Sequence, residues 1–347
     1  MTPPVSRDLL TALPKAELHC HLDGSVRAAT LLELGREYGV PMLAASAAAL
    51  ADYMIVRNAR SLEDYLSRFS ITLSVMQTSD ALERIAAELV EDAARDGVRY
   101  IEIRYSPHLN VAGGLTLEDA VDAPLRGIQR AGQETGTLGR LIICALRQLS
   151  PETSLEMARL AVAYLDRGVV GFDLAGAEEG NPAIRHSAAF SYAREHDLAV
   201  TVHAGEGAGA DSVRQAVHGC GADRIGHGTR LFEDPALTQY VNDRRIALEI
   251  CLTSNVQTRA VTTYENHPLR RYFDRGMNVT LNTDNRLMSG TTLTDEYVHA
   301  AQRLGFDFDE LSALAVNGFA SAFLPWEERE RMLAAVRRDI GVLREQS

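Results

Sequence analysis

Two histidines, at positions 19 and 21, are the first residues of the chain whose type and spacing could do chemistry. They end a short apolar run that is stopped by Asp23 and Gly24. Side chains at positions i and i+2 of a β-strand point to the same face, so His19 and His21 would project together from one strand end. Two imidazoles held side by side on a stiff backbone can bind a metal ion. Two histidines in a solvated turn are the alternative interpretation.

Further imidazole and carboxylate groups follow other apolar runs of the chain. His203 ends the apolar run at residues 199–203, and Glu206 comes shortly after it. His227 follows the run at 224–226, and Asp284 follows the run at 279–282. Each alone has a structural alternative, such as a hydrogen-bonded histidine, a helix N-cap or a solvated loop carboxylate. Acidic and imidazole groups at the ends of four separate runs together favour a metal-dependent hydrolase.

The sequence favours one metal ion per chain. Barrel hydrolases with two ions usually bridge them with a modified lysine after the fourth strand, but here the only lysine, Lys15, precedes the first strand. Three nitrogens and one oxygen, with a water in the remaining position, are typical of a zinc site. The predicted zinc ligands are His19, His21, His203 and Asp284.

A hydrolytic reaction also needs groups that move protons. Hydroxide attack on an electron-poor carbon requires a base that orients the water and an acid that protonates the departing side. His227 is the candidate for the first role and Glu206 for the second. Glu206 lies three residues after the predicted ligand His203, close enough to face the substrate without binding the ion.

The elements that must position these groups are short apolar runs separated by helical patterns. Most runs are aliphatic or β-branched throughout, as expected for strands buried on both faces. Strand–helix alternation eight times over predicts an α/β fold, a (β/α)8 TIM barrel, in which catalytic residues come from the C-terminal strand ends. The predicted strands are residues 16–22, 98–105, 141–146, 169–174, 199–203, 224–226, 246–251 and 279–282.

Helical patterns fill the gaps between the runs, with extra helices inserted after the first strand and at the C-terminus. One pattern stops at Gly97 and another begins after Ser150, a favoured N-cap residue type. No Pro- or Ser-rich linker interrupts the chain, so residues 1–347 are predicted to form one domain. The predicted helices are residues 25–38, 44–58, 61–77, 81–96, 151–167, 182–196, 210–218, 234–244, 294–304, 309–319 and 326–345.

Composition narrows the class of partner. A formal charge of −12 argues against nucleic acid or an anionic membrane surface and suits a small neutral molecule. No run approaches 18 consecutive apolar residues, so no membrane span is predicted. The first residues lack a secretory pattern, and four scattered cysteines suit a reducing cytoplasm. The sequence does not define an oligomeric state.

Several motifs, in this order along the chain, resemble the barrel-type adenosine deaminases. The likeness runs from Pro14 to about Leu304, and residues 62–69 and 104–108 are also similar. One departure is Leu252, where proline is common in the family. The motifs are His19-x-His21-x-Asp23-Gly24, Asp173-Leu174-Ala175-Gly176-x-Glu178, His203-Ala204-Gly205-Glu206, Gly226-His227-Gly228 and Asn282-Thr283-Asp284.

This resemblance implies hydrolytic deamination of adenosine, and of 2′-deoxyadenosine, to inosine and ammonia in purine salvage. It implies one zinc ion per chain, held by the four predicted ligands. It further implies that Glu206 shares a proton with purine N1. His227 would orient or deprotonate the attacking water, and Asp284 would share that proton work.

The resemblance also implies a pocket for a purine nucleoside. The backbone N–H of Gly176 would meet purine N3, Asp23 would face the ribose hydroxyls, and His21 would serve both metal and substrate. Asn285 stands where the family commonly has aspartate, and its amide donates to purine N7 without needing a proton. The resemblance also implies an apolar helix over the nucleoside, formed by Leu62, Tyr65, Leu66 and Phe69. By spacing alone, these four residues could equally be ordinary core.

Other functions remain open at this point. A deaminase of free adenine, or of a modified nucleoside such as aminodeoxyfutalosine, would use the same metal chemistry, although Asp23 and the aromatic helix favour a substrate with ribose. A non-catalytic binding relative should have lost a ligand or the acid, and all are present. A phosphoesterase or amidase on the same barrel is allowed by the fold alone, but its usual lysine is missing.

Overall fold

A computed structural model describes residues 5–56 and 65–346. Eight strands follow one another around a single sheet in chain order, and every neighbouring pair is parallel. Their aliphatic side chains are buried on both faces, as parallel strands covered by helices require. The strands are β1 Lys15–His21, β2 Val98–Tyr105, β3 Leu138–Leu146, β4 Val169–Ala175, β5 Ala199–Ala204, β6 Arg224–His227, β7 Ala247–Ile250 and β8 Val279–Leu281.

Backbone contacts between the end of β8 and β1 bring the first and last strands together. A parallel bridge joins Cys20 to Asp284. The Asp284 N–H donates to the His19 carbonyl at 2.9 Å, and the His21 N–H donates to the Asp284 carbonyl at 2.7 Å. The result is a nearly closed (β/α)8 barrel, which confirms the predicted fold class.

Helices surround this barrel throughout the described residues. Within the described ranges, three helices lie between β1 and the long helix Ser79–Arg95, and three follow the short helix after β8, as the predicted insertions require. The α-helices are α1 Arg7–Ala12, α2 Ala28–Glu37, α3 Ala47–Met54, α4 Phe69–Leu73, α5 Ser79–Arg95, α6 Leu117–Thr135, α7 Pro151–Ala163, α8 Ser187–Glu195, α9 Ala210–Arg214, α10 Pro235–Asp243, α11 Leu252–Gln257, α12 Leu269–Asp274, α13 Arg286–Ser289, α14 Leu293–Leu304, α15 Phe308–Ala320 and α16 Trp326–Gln346. Short 3₁₀ segments occur at Pro107–Asn110, Leu165–Arg167, Ala183–His186, Leu231–Glu233 and Tyr264–Asn266, and a π-helical turn at Gln215–Cys220.

Local residue choice explains where several helices begin. The Ser150 hydroxyl accepts a hydrogen bond from the Thr153 N–H at the start of α7, as its N-cap position predicts. Thr116 and Asp119 form a capping box at the start of α6. No helix in the described ranges is long and apolar enough to cross a membrane.

The predicted helices agree with the structure less closely than the strands do. The segment predicted at 44–58 is helical at Ala47–Met54. The described part of the one predicted at 61–77 is helical at residues 65–66 and at Phe69–Leu73. The predictions do not include α6 or the short helices α1, α11, α12 and α13, because their local patterns are brief or interrupted, as by Pro124 inside α6. That residues 1–347 form one domain stays a prediction.

Lys15, at the start of β1, has no exposed surface. Its ammonium donates to the carbonyls of Leu10 at 2.6 Å, Leu13 at 2.9 Å and Thr11 at 3.3 Å. These carbonyls end helix α1, where the helix dipole favours a cation. Burial lowers the pKa of Lys15 to about 8. The only lysine of the chain is therefore a structural cap at the N-terminal end of the barrel.

Candidate active site at the C-terminal end of the barrel

Four side chains from the ends of β1, β5 and β8 form a group that could hold a metal ion. The potential ligand atoms of His19, His21, His203 and Asp284 all lie within 4.8 Å of one another. Asp284 Oδ1 is 3.3 Å from the Nε2 atoms of both His19 and His21. The Nε2 atoms of His21 and His203 face each other at 3.0 Å. The structure thus brings together the four residues predicted to bind metal.

Two site residues have a backbone conformation that L-residues rarely adopt. Asp284 has a φ of 61° and His227 a φ of 63°. Left-handed backbone costs a non-glycine residue free energy and is found more often where function requires a particular side-chain direction. The hydrogen bonds from Asp284 to β1 on both sides hold its backbone in this conformation.

Two buried carboxylates fix the orientation of two of the imidazoles. Glu249 Oε2 is 2.9 Å from His19 Nδ1, and Asp173 Oδ2 is 3.0 Å from His203 Nδ1. An ionised carboxylate accepts the Nδ1 proton, which leaves the Nε2 lone pair free to bind a metal. Arg104 donates to both carboxylates at 2.9 Å and so keeps them ionised.

The surroundings also set the charge of the four ligand-type groups. Burial, followed by the Arg104 charge, lowers the pKa of His19 to about 4, and burial lowers the pKa of His21 well below its usual value. Burial opposes ionisation of Asp284, yet the neighbouring histidines hold its pKa well below the usual range. His203 differs, since its carboxylate partner outweighs burial and raises its pKa. A cation would compete with that proton, as metals do for histidine.

The donor set fits a cation. His19 Nε2 is fully buried and makes no hydrogen bond within the described part of the chain, although it points at the Asp284 carboxylate. A buried polar atom without a hydrogen bond is rare and calls for a ligand at that point. Three imidazole nitrogens and a carboxylate oxygen around one space are the kind of donor set that divalent metals take.

Glu206, the predicted acid, is held in place by its loop. The Glu178 carboxylate accepts hydrogen bonds from the backbone N–H groups of Gly205, Glu206 and Ala208 at 3.2, 3.1 and 3.0 Å. The Thr258 hydroxyl donates to Glu206 Oε1 at 2.9 Å. Burial raises the pKa of Glu206 above its ordinary value. A carboxyl group that keeps its proton more readily is suited to act as an acid.

His227 faces Glu206, with 3.4 Å between His227 Nε2 and Glu206 Oε2. The other ring nitrogen, Nδ1, lies 3.0 Å from Asn255 Nδ2. Asn255 Oδ1 lies 3.1 Å from two donors, the Thr229 hydroxyl and His267 Nε2. The amide oxygen therefore faces these two donors, and the amide nitrogen donates to His227 Nδ1. In the neutral form of the ring, the proton therefore lies on Nε2, toward Glu206.

Sequence reasoning missed three side chains from one short segment after β7. Ser254 and Asn255 lie on α11, and Thr258 follows it directly. Ser254 Oγ donates to Asp284 Oδ2 at 2.6 Å, and the other two donate to His227 and Glu206. We call these three residues the donor trio, and the three that receive their bonds the predicted catalytic trio.

Two predicted substrate-binding residues, Asp23 and Asn285, present unpaired buried atoms. Asp23 Oδ1 and Asn285 Oδ1 make no hydrogen bond to any residue that the structure describes. Burial raises the pKa of Asp23 to about 7. A Cβ at Gly24 would lie 1.7 Å from Asn285 Oδ1, so glycine is needed for this close approach. Gly176 follows β4 with a φ of 96°. A Cβ at Gly176 would lie 2.3 Å from the side-chain oxygen of Gln148.

The predicted apolar helix is described only in part. Leu62 lies outside the described residues. Tyr65 is buried and its hydroxyl is 2.9 Å from Ser289 Oγ, on the helix that follows Asn285. Its ring centroid is 6.4 Å from that of Phe69, which is half-buried like Leu66. Tyr65 therefore joins this segment to the β8 end of the site.

Residues 14–339 match the family model for adenosine deaminase. The chain belongs to the adenosine deaminase family. It is 43% identical over 338 residues to the adenosine deaminase of Mycobacteroides abscessus, a match that covers 92% of this chain and 93% of the relative. Family membership makes the protein a hydrolase that acts on a purine amine.

Solved structures share this adenosine deaminase fold over nearly the whole chain. The adenine deaminase of Arthrobacter aurescens has a TM-score of 0.88 and 28% identity, covering 94% of this chain and 99% of that one. An amidohydrolase from Burkholderia ambifaria, with bound zinc, has a TM-score of 0.90 and 25% identity, covering 100% of this chain and 96% of that one.

Proposed function

We propose that this protein hydrolyses adenosine, and 2′-deoxyadenosine, to inosine and ammonia in purine salvage. The observation that carries the proposal is the grouping of the predicted catalytic trio with the metal-type ligands at one end of the barrel. His227 and Glu206 face each other at 3.4 Å, and Asp284 belongs to the ligand group. Membership of the adenosine deaminase family supports the same reaction.

The proposed cofactor is one zinc ion per chain. Nitrogen and oxygen ligands with an open position suit zinc, and the unpaired His19 Nε2 supports a cation in the group. The Burkholderia ambifaria amidohydrolase, with bound zinc, has the same fold. When bound, zinc lowers the pKa of a water molecule to about 7 and supplies hydroxide at neutral pH. The proposed ligands are His19, His21, His203 and Asp284.

The catalytic trio is proposed to move the protons of the reaction. Glu206, whose pKa is raised by burial, donates a proton to purine N1 and makes C6 more electrophilic. His227 presents Nε2–H and orients the attacking water, and the ionised Asp284 accepts its proton. The water oxygen bonds to C6, which becomes tetrahedral, and the bond from C6 to the exocyclic amino nitrogen then breaks. The amine leaves as ammonia with the proton that Asp284 took from the water. The second water proton returns to Glu206 as the C6–oxygen double bond forms.

The remaining proposed contacts recognise the nucleoside. Asp23 Oδ1, which has no partner among the described residues, accepts from the ribose hydroxyls. Asn285 donates its amide to purine N7, and the Gly176 N–H donates to N3. His21 lies between metal and substrate. The proposed apolar cover comprises Leu62, Tyr65, Leu66 and Phe69.

Free adenine, or a modified nucleoside such as aminodeoxyfutalosine, is the second candidate substrate. The adenine deaminase of Arthrobacter aurescens is 28% identical to this chain and has the same fold. The unpaired carboxylate oxygen of Asp23 favours a nucleoside over free adenine, because a free base has no hydroxyl groups to satisfy it.

Parallel assays of adenosine, adenine and aminodeoxyfutalosine, followed by ultraviolet absorbance before and after chelation, test the proposal. We expect adenosine to have the highest kcat/KM, and activity to disappear with the metal and return with zinc. Faster turnover of adenine would leave the metal chemistry standing and overturn the assignment of Asp23. Faster turnover of aminodeoxyfutalosine, which also carries a ribose, would leave both standing and overturn adenosine as the substrate. Full activity after verified metal removal would overturn the zinc site.

The proposed location is the cytoplasm. All four cysteines, Cys20, Cys144, Cys220 and Cys251, are buried free thiols, which suits a reducing compartment. Localisation of a tagged chain in the cell of origin tests this.

A further inference from the structure

Arg104 lies on β2 inside the barrel and has no exposed surface. Its Nη1 donates to Asp173 Oδ2 and its Nη2 to Glu249 Oε2, each at 2.9 Å. Nη2 also donates to the carbonyl of Leu18, the residue before the first predicted ligand. One guanidinium thus joins β2 to β1, β4 and β7 directly beneath the ligand group.

Each carboxylate that Arg104 touches is also the partner of a predicted metal ligand. The Oδ2 atom of Asp173 that accepts from Arg104 is 3.0 Å from His203 Nδ1. The Oε2 atom of Glu249 that accepts from Arg104 is 2.9 Å from His19 Nδ1. The two histidines come from β1 and β5, and a single carboxylate links Arg104 to each of these two imidazoles.

We infer that Arg104 is a positioning residue that orients both His19 and His203 for metal binding through Asp173 and Glu249. The inference rests on the proposed metal site and goes beyond it, because Arg104 itself touches neither metal nor substrate. Its planar fork points two N–H groups at two carboxylates at once. Both carboxylates then accept Nδ1 protons, and both Nε2 atoms face the ligand group.

Replacing Arg104 with lysine tests whether metal binding needs an arginine that bonds both carboxylates or only a buried positive charge. Lysine keeps the charge but carries it as a point on a flexible stem, without the fork. It would serve one of the two carboxylates and leave the other without its cationic partner. A histidine whose carboxylate partner is not held in place binds metal less well.

Arg224 provides a matched control. It is 2% exposed and also donates to Glu249, from Nε at 2.7 Å, but to the other oxygen, Oε1. Its second carboxylate partner is Glu102, which contacts no predicted ligand. Arg224→Lys therefore disturbs a buried arginine–glutamate pair of the same kind without touching the oxygens that hold the histidines.

The test measures zinc affinity, by competition with a chromogenic chelator at fixed pH, for wild type, Arg104→Lys and Arg224→Lys. We expect the zinc Kd to rise about 10- to 100-fold in Arg104→Lys and to change less than about threefold in Arg224→Lys. The melting temperature of the metal-free protein should fall in both variants, because both lose buried ion pairs. The difference in Kd between the two variants is the readout that a structural role would not produce.

Equal losses of zinc affinity in the two variants would overturn the inference and leave the zinc site intact. Wild-type protein that binds no zinc would overturn the zinc site and this inference together. If Arg104→Lys fails to fold, Asp173→Asn and Glu249→Gln take its place. Each should then weaken zinc binding about tenfold, and wild-type affinity in either would count against the inference.

Discussion

The ends of β5, β6 and β8 and the helix α11 after β7 build the site in different ways. The three strand ends present the catalytic trio, whose side chains are proposed to meet substrate and water. Helix α11 and the residue after it present the donor trio, whose hydrogen bonds of 2.6 to 3.0 Å reach each member of the catalytic trio. One region supplies the groups that are proposed to react, and the other donates a hydrogen bond to each of them.

The difference between these regions shows how a very short helix can control several groups at once. Helix α11 has six residues, and Glu296 caps it by accepting from the Thr253 N–H at 3.1 Å. Loss of a catalytic group should remove a step of the reaction, whereas loss of a donor should misdirect a group that is still present. Variants of the two regions should therefore differ in size of effect and in kind.

The largest effect should follow removal of the acid. Glu206→Gln keeps the size of the side chain and its bond from Thr258 but has no proton to give to purine N1. We expect kcat to fall by about 10²- to 10⁴-fold while metal content, measured by atomic absorption, is unchanged. Near-normal turnover would remove Glu206 as the acid, and loss of metal would mean that it serves the ligand group instead.

A smaller effect on kcat should follow from reversing the direction of the hydrogen bond between Asn255 and His227 Nδ1. Asn255→Asp keeps an acceptor for Thr229 and His267 but replaces the donor to His227 Nδ1 with a second acceptor. We expect the His227 proton to move to Nδ1 and kcat to fall about 10- to 100-fold. Nitrogen-15 NMR of the ring, in the same buffer as the kinetics, reads the tautomer. An unchanged tautomer with reduced kcat would contradict the assigned role of Asn255.

A loss of about tenfold in kcat/KM is expected when the Glu206 carboxyl loses its hydroxyl donor. Thr258→Val removes the bond at almost constant volume, and Thr258→Ser, which keeps the hydroxyl, is the matched control. Serine should restore most of the activity that valine loses. Equal losses in both variants would mean that packing of the Thr258 methyl group, and not its hydrogen bond, matters.

Changes at Glu296 should have the smallest effect on catalysis. They should instead alter how the free energy of unfolding depends on pH. Burial raises its pKa from 4.5 to about 7, so the folded state holds this proton more tightly than the unfolded state. Its contribution to the free energy of unfolding is present at low pH and is lost as the pH rises to about 7. Wild type should therefore lose up to about 3 kcal/mol more than Glu296→Gln between pH 5 and pH 8 in urea unfolding. Parallel losses would exclude this titration.

The strands and the ligand group were predictable because their patterns are local. Residues Val98–Tyr105 form β2 with the predicted bounds, since a buried parallel strand reads as one apolar run between turns. His19 and His21 share a face by strand geometry alone. Chain order in a barrel then brings the remaining strand ends to the same rim.

The supporting groups were not predictable in the same way, because their partners are far apart in sequence. Arg104 and Glu249 are separated by 145 positions, and Asn255 lies on a helix too short to produce a periodic pattern. One indication was present: Glu249 is a charged residue inside a run of buried apolar residues. Such a charge must find a partner of opposite sign inside the barrel, but a single sequence does not name that partner.

The burial of Lys15 has a practical consequence for handling the protein. Because the chain has one lysine and its ammonium is enclosed by three carbonyls, no lysine side chain is available on the surface. Reagents directed at lysine amines, such as succinimidyl esters and amine-coupling matrices, should leave that side chain of the folded protein unmodified. Its acylation would then report unfolding at the N-terminal end of the barrel, with no competing lysine to obscure it.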